Sequence, residues 1–265
     1  MGIYKESQLQ GHFHLPTLSD KIEEEYKSRF QDEIKRIVAS KEIPPGPTRS
    51  PKQSAIPGTH EVRAPSAIRQ AVISSVVPQL TPVFVRLIKD CLGIAATVVN
   101  PSLDAGLKLG YDDPSQLGSD RLANVIAARA LYGYPAIVID LGTAITFDCL
   151  SPKGEYLGGI IMPGPGLSAV GLSNQSDLLP LVDIAKPEAI IGKNTADCIR
   201  SGIFYGTIAQ IEGIVRRLKS EIGGEPKIIV TGGWSALFAP ELEGRPEINP
   251  SLTLEGLRII GERGQ

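Results

Sequence analysis

The 265-residue chain carries 27 basic and 29 acidic residues, a net charge of −2, without the continuous basic block that would mark a nucleic-acid binder. No apolar run reaches the roughly 18 residues that cross a bilayer, and no charged segment followed by an apolar core opens the chain, so a soluble cytoplasmic protein with no membrane partner is expected. Cys91, Cys149 and Cys198 stand far apart, with neither CxxC nor Cys/His spacing, which argues against a disulfide framework or a zinc site.

The length suits one large domain or two moderate ones. Short candidate strands at 2–5 and 11–15 precede Leu18, Ile22, Tyr26, Phe30, Ile34 and Ile37, whose helical spacing predicts an amphipathic helix with Thr17 placed to cap it. Between 43 and 65, Pro44, Pro45, Pro47, Pro51, Pro57 and Pro65 deny regular structure. This insert reads as a tolerated surface loop, its PxxP-like text being weak evidence for peptide docking. A strand stopped by Pro78 is predicted over 71–77, then a helix over 82–92 and a strand over 96–99. Next come a helix at 120–132, strands at 136–141, 144–150 and 155–162, a long helix at 194–221 and a strand at 227–231. Such alternation predicts an α/β fold, with two strand-rich lobes and a ligand cleft between them.

The most informative stretch is AIVIDLGTAITFD at 136–148, an apolar strand that ends in Asp140 and turns through Gly142 and Thr143 into a second strand. Gly142 lets backbone approach a phosphate, Thr143 offers a hydroxyl and an N–H, and Asp140 can hold a cation beside them. GSDR at 118–121 places Asp120 and Arg121 at a helix start. Asp120 either takes a proton from an attacking hydroxyl or only caps the helix, and Arg121 presents a planar fork to a carboxylate or phosphate. Glycine turns at GGIIMPGPG (158–166) and VTGG (230–233) are further candidate nucleotide contacts, and GKNTADCIRSG (192–202) offers Asn194 or Thr195 as a cap or a substrate contact. His12, His14 and His60 have no evident carboxylate or serine partner, and Trp234 reads either as an adenine platform or as a core or rim residue.

These motifs, with YDDPSQLGSDR at 111–121, SSVVP at 74–78 and the closing LTLEGLRIIGER, resemble the type III pantothenate kinase family in order and spacing over most of residues 71–265. The resemblance implies an α/β fold of two RNase H-like, actin-like ATPase lobes around a cleft, in a homodimer. The lobes would be 1–117 and 118–265, the second carrying the phosphate, substrate and adenosine-type motifs. It implies transfer of the ATP γ-phosphate to pantothenate, the first step toward coenzyme A, with Mg2+ and a monovalent cation, K+ or NH4+. By the same resemblance Asp120 is the general base, and Tyr111, Gly118, Ser119, Asp120, Arg121 and Thr195 contact pantothenate. Thr143, Gly142, Gly232 and Gly233 would contact ATP, and Asp140 would be the cation ligand.

The family opens with a strand and a DxGNT-type turn that binds ATP phosphates, and residues 2–17 here resemble the text that follows that turn. The expectation from sequence is therefore a first lobe without its first strand, with an exposed sheet edge and half of the phosphate clamp missing. Because phosphoryl transfer depends on positioning and charge stabilisation, that loss would cost several orders of magnitude in rate. A late start site and a decayed homologue both fit the text. Alongside the kinase stand a catalytically impaired or non-catalytic regulatory homologue of the Bvg accessory factor type, and another small-molecule kinase of the same fold.

Overall fold

The computed structural model describes residues 2–5, 8–12, 28–34, 36, 68–100 and 106–263. The chain divides into two compact units, Met1–Asn100 with Ile260–Gln265, and Pro101–Ile259. Residues 13–27, Ile37, the Pro-rich stretch 43–65, His14 and His60 lie outside the described residues, and with them most of the expected first helix.

In the first unit β1 (Gly2–Lys5) pairs antiparallel with β2 (Gln8–His12), and β3 (Ala71–Ile73) pairs parallel with β4 (Ala96–Val98). Helix α1 (28–34) buries Phe30 and Ile34, as its spacing predicts, against Ile88 and Cys91 of α2 (Thr81–Leu92). Pro82 sits in the first turn of α2, where its missing N–H costs nothing, and Gly93 ends the helix in the left-handed region at φ 70°. Strand β3 stops well before Pro78, because Ser75 Oγ bonds both the N–H and the carbonyl of Val77 at 3.2 and 3.1 Å and turns the chain locally.

The second unit is built on a five-stranded mixed sheet. Strands β5 (Ala136–Leu141), β6 (Ala144–Leu150) and β7 (Tyr156–Pro163) form an antiparallel meander, while β8 (Lys227–Thr231) runs parallel to β5 and β9 (Glu247–Ile248) parallel to β8. The order β7-β6-β5-β8-β9 is that of an RNase H-like sheet. Side chains alternate across it. Ile137, Ile139, Leu141, Ile145 and Phe147 pack with Phe204 and Ile211 of α5 (Thr195–Ile222) and Phe238 of α6 (Ser235–Phe238). The opposite face carries Val138, Asp140, Thr146 and Asp148, with Val138 opposite Asp148 and Asp140 opposite Thr146, and there α3 (Ser119–Leu131) hydrogen-bonds to both carboxylates.

The strand expected at 155–162 forms as β7 and takes in Gly158 to Pro163, so the glycine turn read at GGIIMPGPG narrows to Gly164, which caps α4 (Pro165–Gln175) with Pro165 in its first turn. Pro just inside a helix start was the available signal. Helix α7 (Leu252–Arg263) closes the chain, and a Cβ on its Gly256 would overlap the Ala123 carbonyl oxygen of α3.

That crossing gives a paired prediction. Gly256→Ala should destabilise the protein by about 1–3 kcal/mol through overpacking. Gly171→Ala in α4, where a Cβ meets nothing within 4 Å, should be neutral or stabilising by up to about 1 kcal/mol. Urea unfolding of both variants checks the contrast.

Candidate active site

Gly118 enters α3 in an extended conformation, and a Cβ there would lie 2.5 Å from Asp120 Oδ1, so glycine leaves room for that carboxylate. Asp120 Oδ1 accepts the Arg121 N–H at 2.8 Å, satisfying one of the orphan donors of the first turn. No hydrogen bond engages Oδ2 among the described residues. The capping role and a chemical role therefore fall on different oxygens of one carboxylate.

Arg121 points down onto the sheet and is only 6% exposed. Its Nε donates to Asp148 Oδ1 at 2.9 Å, Nη2 forms an ion pair with the same oxygen at 2.8 Å, and Nη2 donates to the Tyr156 hydroxyl at 3.0 Å. Tyr156 in turn donates to Asp148 Oδ1 at 2.8 Å, and Thr146 Oγ1 donates to Oδ2 at 3.3 Å. Burial pushes the Asp148 carboxyl up, and the Arg121 charge with the hydrogen bonds from Arg121, Tyr156 and Thr146 opposes it. Burial likewise disfavours the Arg121 cation, but the Asp148 charge and hydrogen bonds outweigh it and hold the guanidinium charged. Removing one partner of such a buried pair costs about 3–5 kcal/mol. The remaining nitrogen, Nη1, has the Tyr111 hydroxyl at 3.5 Å, and the Tyr111 ring lies nearly parallel to that of Tyr156 at a 6.0 Å centroid distance.

Asp140 ends β5 on the same face. Its Oδ2 accepts from Asn124 Nδ2 at 3.0 Å, and Asn124 Oδ1 accepts from Thr253 Oγ1 at 2.7 Å, so α3, β5 and α7 meet in one hydrogen-bonded chain. No donor reaches Oδ1 among the described residues, while Gly232, at φ 91°, lies so close that a Cβ would overlap it. Burial raises the Asp140 carboxyl pKa; the Asn124 bond opposes this, and the nearby Asp120 and Asp148 charges add to it. Gly142 and Thr143 form the β5–β6 turn, whose Thr143 carbonyl accepts the Gly164 N–H at 2.9 Å, leaving the Thr143 side chain exposed.

The structure thus gathers Tyr111, Gly118, Ser119, Asp120 and Arg121 about the start of α3, and sets Gly232 against Asp140. Thr195 stands apart: it is the exposed first residue of α5, capped by Asn194 Oδ1 at 2.9 Å from the Asp197 N–H, and it forms no hydrogen bond with this cluster. Gly233 is exposed beyond β8, and Trp234 is half-buried against the core with its ring edge toward Phe238, which favours the core or rim reading. Sequence reasoning passed over Asp148, Tyr156 and Asn124. Two signals were available: Asp148 follows Thr146 by the strand period on a largely apolar strand, and Asn124 lies four residues after Asp120 on one helix face.

The direction of the Asp140 shift fixes a pH dependence. A carboxyl whose folded pKa lies above its unfolded value, about 3.9, adds stability below that value and loses it as pH rises through the folded pKa. Asp140→Asn keeps the acceptor for Asn124 and removes that loss. In tetramethylammonium buffer, the melting temperature of the variant relative to wild type should rise with pH from about 4 upward. A difference independent of pH would contradict the assignment.

The family model for type III pantothenate kinases matches residues 1–217. The type III pantothenate kinase of Moorella thermoacetica is 45% identical over 196 residues, 74% of this chain and 77% of its own length. That of Halalkalibacterium halodurans is 35% identical over 260 residues, 98% of this chain and 93% of its own. A solved Baf family transcriptional activator from Campylobacter jejuni is 22% identical, with a TM-score of 0.49 over 74% of this chain and 84% of its own. Matched by the family model over most of its length and by a relative over nearly all of it, the chain belongs to the type III pantothenate kinase family.

Proposed function

We propose that the chain transfers the γ-phosphate of ATP to pantothenate, forming phosphopantothenate at the start of coenzyme A synthesis. The observation that carries this reading is the pairing, at one helix start, of a carboxylate, Asp120, whose Oδ2 no described residue engages, and a buried, carboxylate-anchored guanidinium, Arg121. In this reading Asp120 Oδ2 takes the proton of the pantothenate primary hydroxyl as its oxygen attacks the γ-phosphorus, and the bond to the ADP oxygen breaks. Arg121 Nη1 and Tyr111 hold the pantothenate carboxylate, so that the hydroxyl at the far end of the substrate meets the base. Gly118 and Ser119 line the same entry to α3. Gly142 and Thr143 meet the ATP phosphates from the β5–β6 turn, and Gly232 and Gly233 meet the nucleotide from the end of β8.

Among the described residues no group of three or more His, Cys, Asp or Glu side chains could hold a metal ion. Mg2+ would therefore enter mainly on the phosphates of ATP, as it does where one or two carboxylates suffice, and would neutralise charge there. Asp140 fits a monovalent cation better, since among the described residues its Oδ1 has no donor and the residue is half-buried beside the Asp120 and Asp148 charges. Either K+ or NH4+ would offset the Asp140 charge.

The homodimer has a candidate face. The segment between α4 and α5 packs Leu179, Val182 and Ile184 inward yet leaves Leu178 84%, Leu181 64%, Ile190 64% and Ile191 77% exposed, close in sequence to Thr195. So much exposed apolar side chain in one segment is characteristic of an interaction surface. A cytoplasmic location accords with the described helices, none of which is long and apolar enough to cross a membrane.

Two measurements test this reading. Coupled ADP release should depend on pantothenate, and Asp120→Asn should lower kcat by about 10²- to 10⁴-fold. ADP release indifferent to pantothenate would contradict the assignment. In sedimentation velocity the wild type should run as a dimer and Ile191→Asp as a monomer, whereas a monomeric wild type would remove the dimer.

A further inference from the structure

We propose that Asp148 is a positioning residue for acceptor recognition, fixing the Arg121 guanidinium so that Nη1 is offered to the substrate carboxylate beside Tyr111. This rests on the pantothenate kinase reading.

Asp148 is fully buried, so it does not itself meet a substrate, and whatever it does passes through Arg121. A free arginine has four rotatable bonds to order when it binds an anion, and fixing them in advance transfers that cost from binding to folding. Here the ordering is complete on one edge of the guanidinium. Nε and Nη2 are both held by Asp148 Oδ1, and the Tyr156 hydroxyl closes a ring by accepting from Nη2 at 3.0 Å and donating to the same oxygen at 2.8 Å. The plane and its rotation are thereby set. Nη1 is the nitrogen left over, and its 3.5 Å separation from the Tyr111 hydroxyl is at the limit of a hydrogen bond, so its N–H groups remain available.

Glycines of β7 complete the arrangement and give the GGIIMPGPG text a role it lacked as a loop. A Cβ on Gly159 would overlap the Phe147 carbonyl oxygen and come within 2.7 Å of Arg121 Nη2, so any side chain there displaces the guanidinium. Gly158, at φ 110°, faces the Tyr111 ring at 4.0 Å from its would-be Cβ. At these two positions β7 puts no side chain between the sheet and the arginine or the tyrosine.

A positioning role differs from a structural one in what it changes. Loss of Asp148 should weaken recognition of the acceptor carboxylate specifically, leaving phosphoryl transfer in the bound complex nearly intact. The test compares pantothenate with pantothenol, in which an alcohol replaces the carboxylate, as acceptor or competitive inhibitor. Asp148→Asn and Tyr156→Phe are measured alongside wild type, with melting curves to establish folding. For Asp148→Asn the expected result is a KM for pantothenate raised about tenfold or more, kcat within about threefold, and preference for pantothenate over pantothenol reduced about tenfold. Tyr156→Phe, which keeps the ring and removes only the bridging hydroxyl, should move KM and preference the same way by about threefold. Asp148→Glu should recover part of the preference. Folded variants with unchanged preference, or with lowered kcat at unchanged KM, would overturn the proposal. Should Asp148→Asn not fold, Tyr156→Phe decides by the same criterion. Wild-type protein that does not turn over pantothenate would overturn the kinase reading itself, whereas an active wild type with unaltered variants overturns only the positioning role.

Discussion

A carboxylate on the buried face of a sheet has to be answered by a cation and hydrogen-bond donors, and in this chain Asp148 is answered by Arg121. The alternation of β5 and β6 puts Ile137, Ile139 and Phe147 on one face and Asp140 and Asp148 on the other. The first set needs only bulk from α5 and α6. The second set dictates what α3 carries: Arg121 above Asp148 and Asn124 above Asp140, three residues apart on one helix face. Those two contacts hold the inner face of α3 to the sheet, while Asp120 is set by its own bond to the Arg121 N–H in the first turn.

The consequence for chemistry is that no group in the proposed acceptor site stands alone. Asp120 is tied through one oxygen to the backbone of its own helix, and Arg121 is tied through two nitrogens to the sheet. Each retains one edge for a ligand. A base and an anion-binding fork held in a fixed relation suit an acceptor that has a hydroxyl at one end and a carboxylate at the other. The same logic places Asp140 differently. One of its oxygens accepts from Asn124 and the other lies against the Gly232 turn with no donor among the described residues, a half-buried charge for which a small cation is the natural complement.

Much of this was legible in the text of the chain. The elements read at 82–92, 96–99, 120–132, 136–162, 194–221 and 227–231 follow from apolar runs and from Pro and Gly at their ends, whereas the helices α4 and α7 and the short β9 went unread. Asp140 with GSDR were recognisable because they stand at strand and helix ends. What escaped was buried. Asp148 lies inside an apolar strand and signals nothing until the register sets it beneath Arg121, since pairing across the sheet is a property of three dimensions. The GGIIMPGPG stretch carries two readings, strand and glycine turn, for a related reason: glycine serves in a turn for its φ freedom and in a strand for its missing Cβ, and the packing of Arg121 and Phe147 on Gly159 shows the strand role. Strand β3 ended early because a side-chain hydrogen bond from Ser75 overrode local β propensity.

The central claim is that one helix start binds both ends of the acceptor. A crystal structure of the protein with pantothenate bound addresses it directly. It should place the carboxylate within hydrogen-bond distance of Arg121 Nη1 and Tyr111, and the primary hydroxyl at Asp120 Oδ2. Pantothenate bound with its carboxylate turned away from Arg121, or with its hydroxyl out of reach of Asp120, would contradict the account.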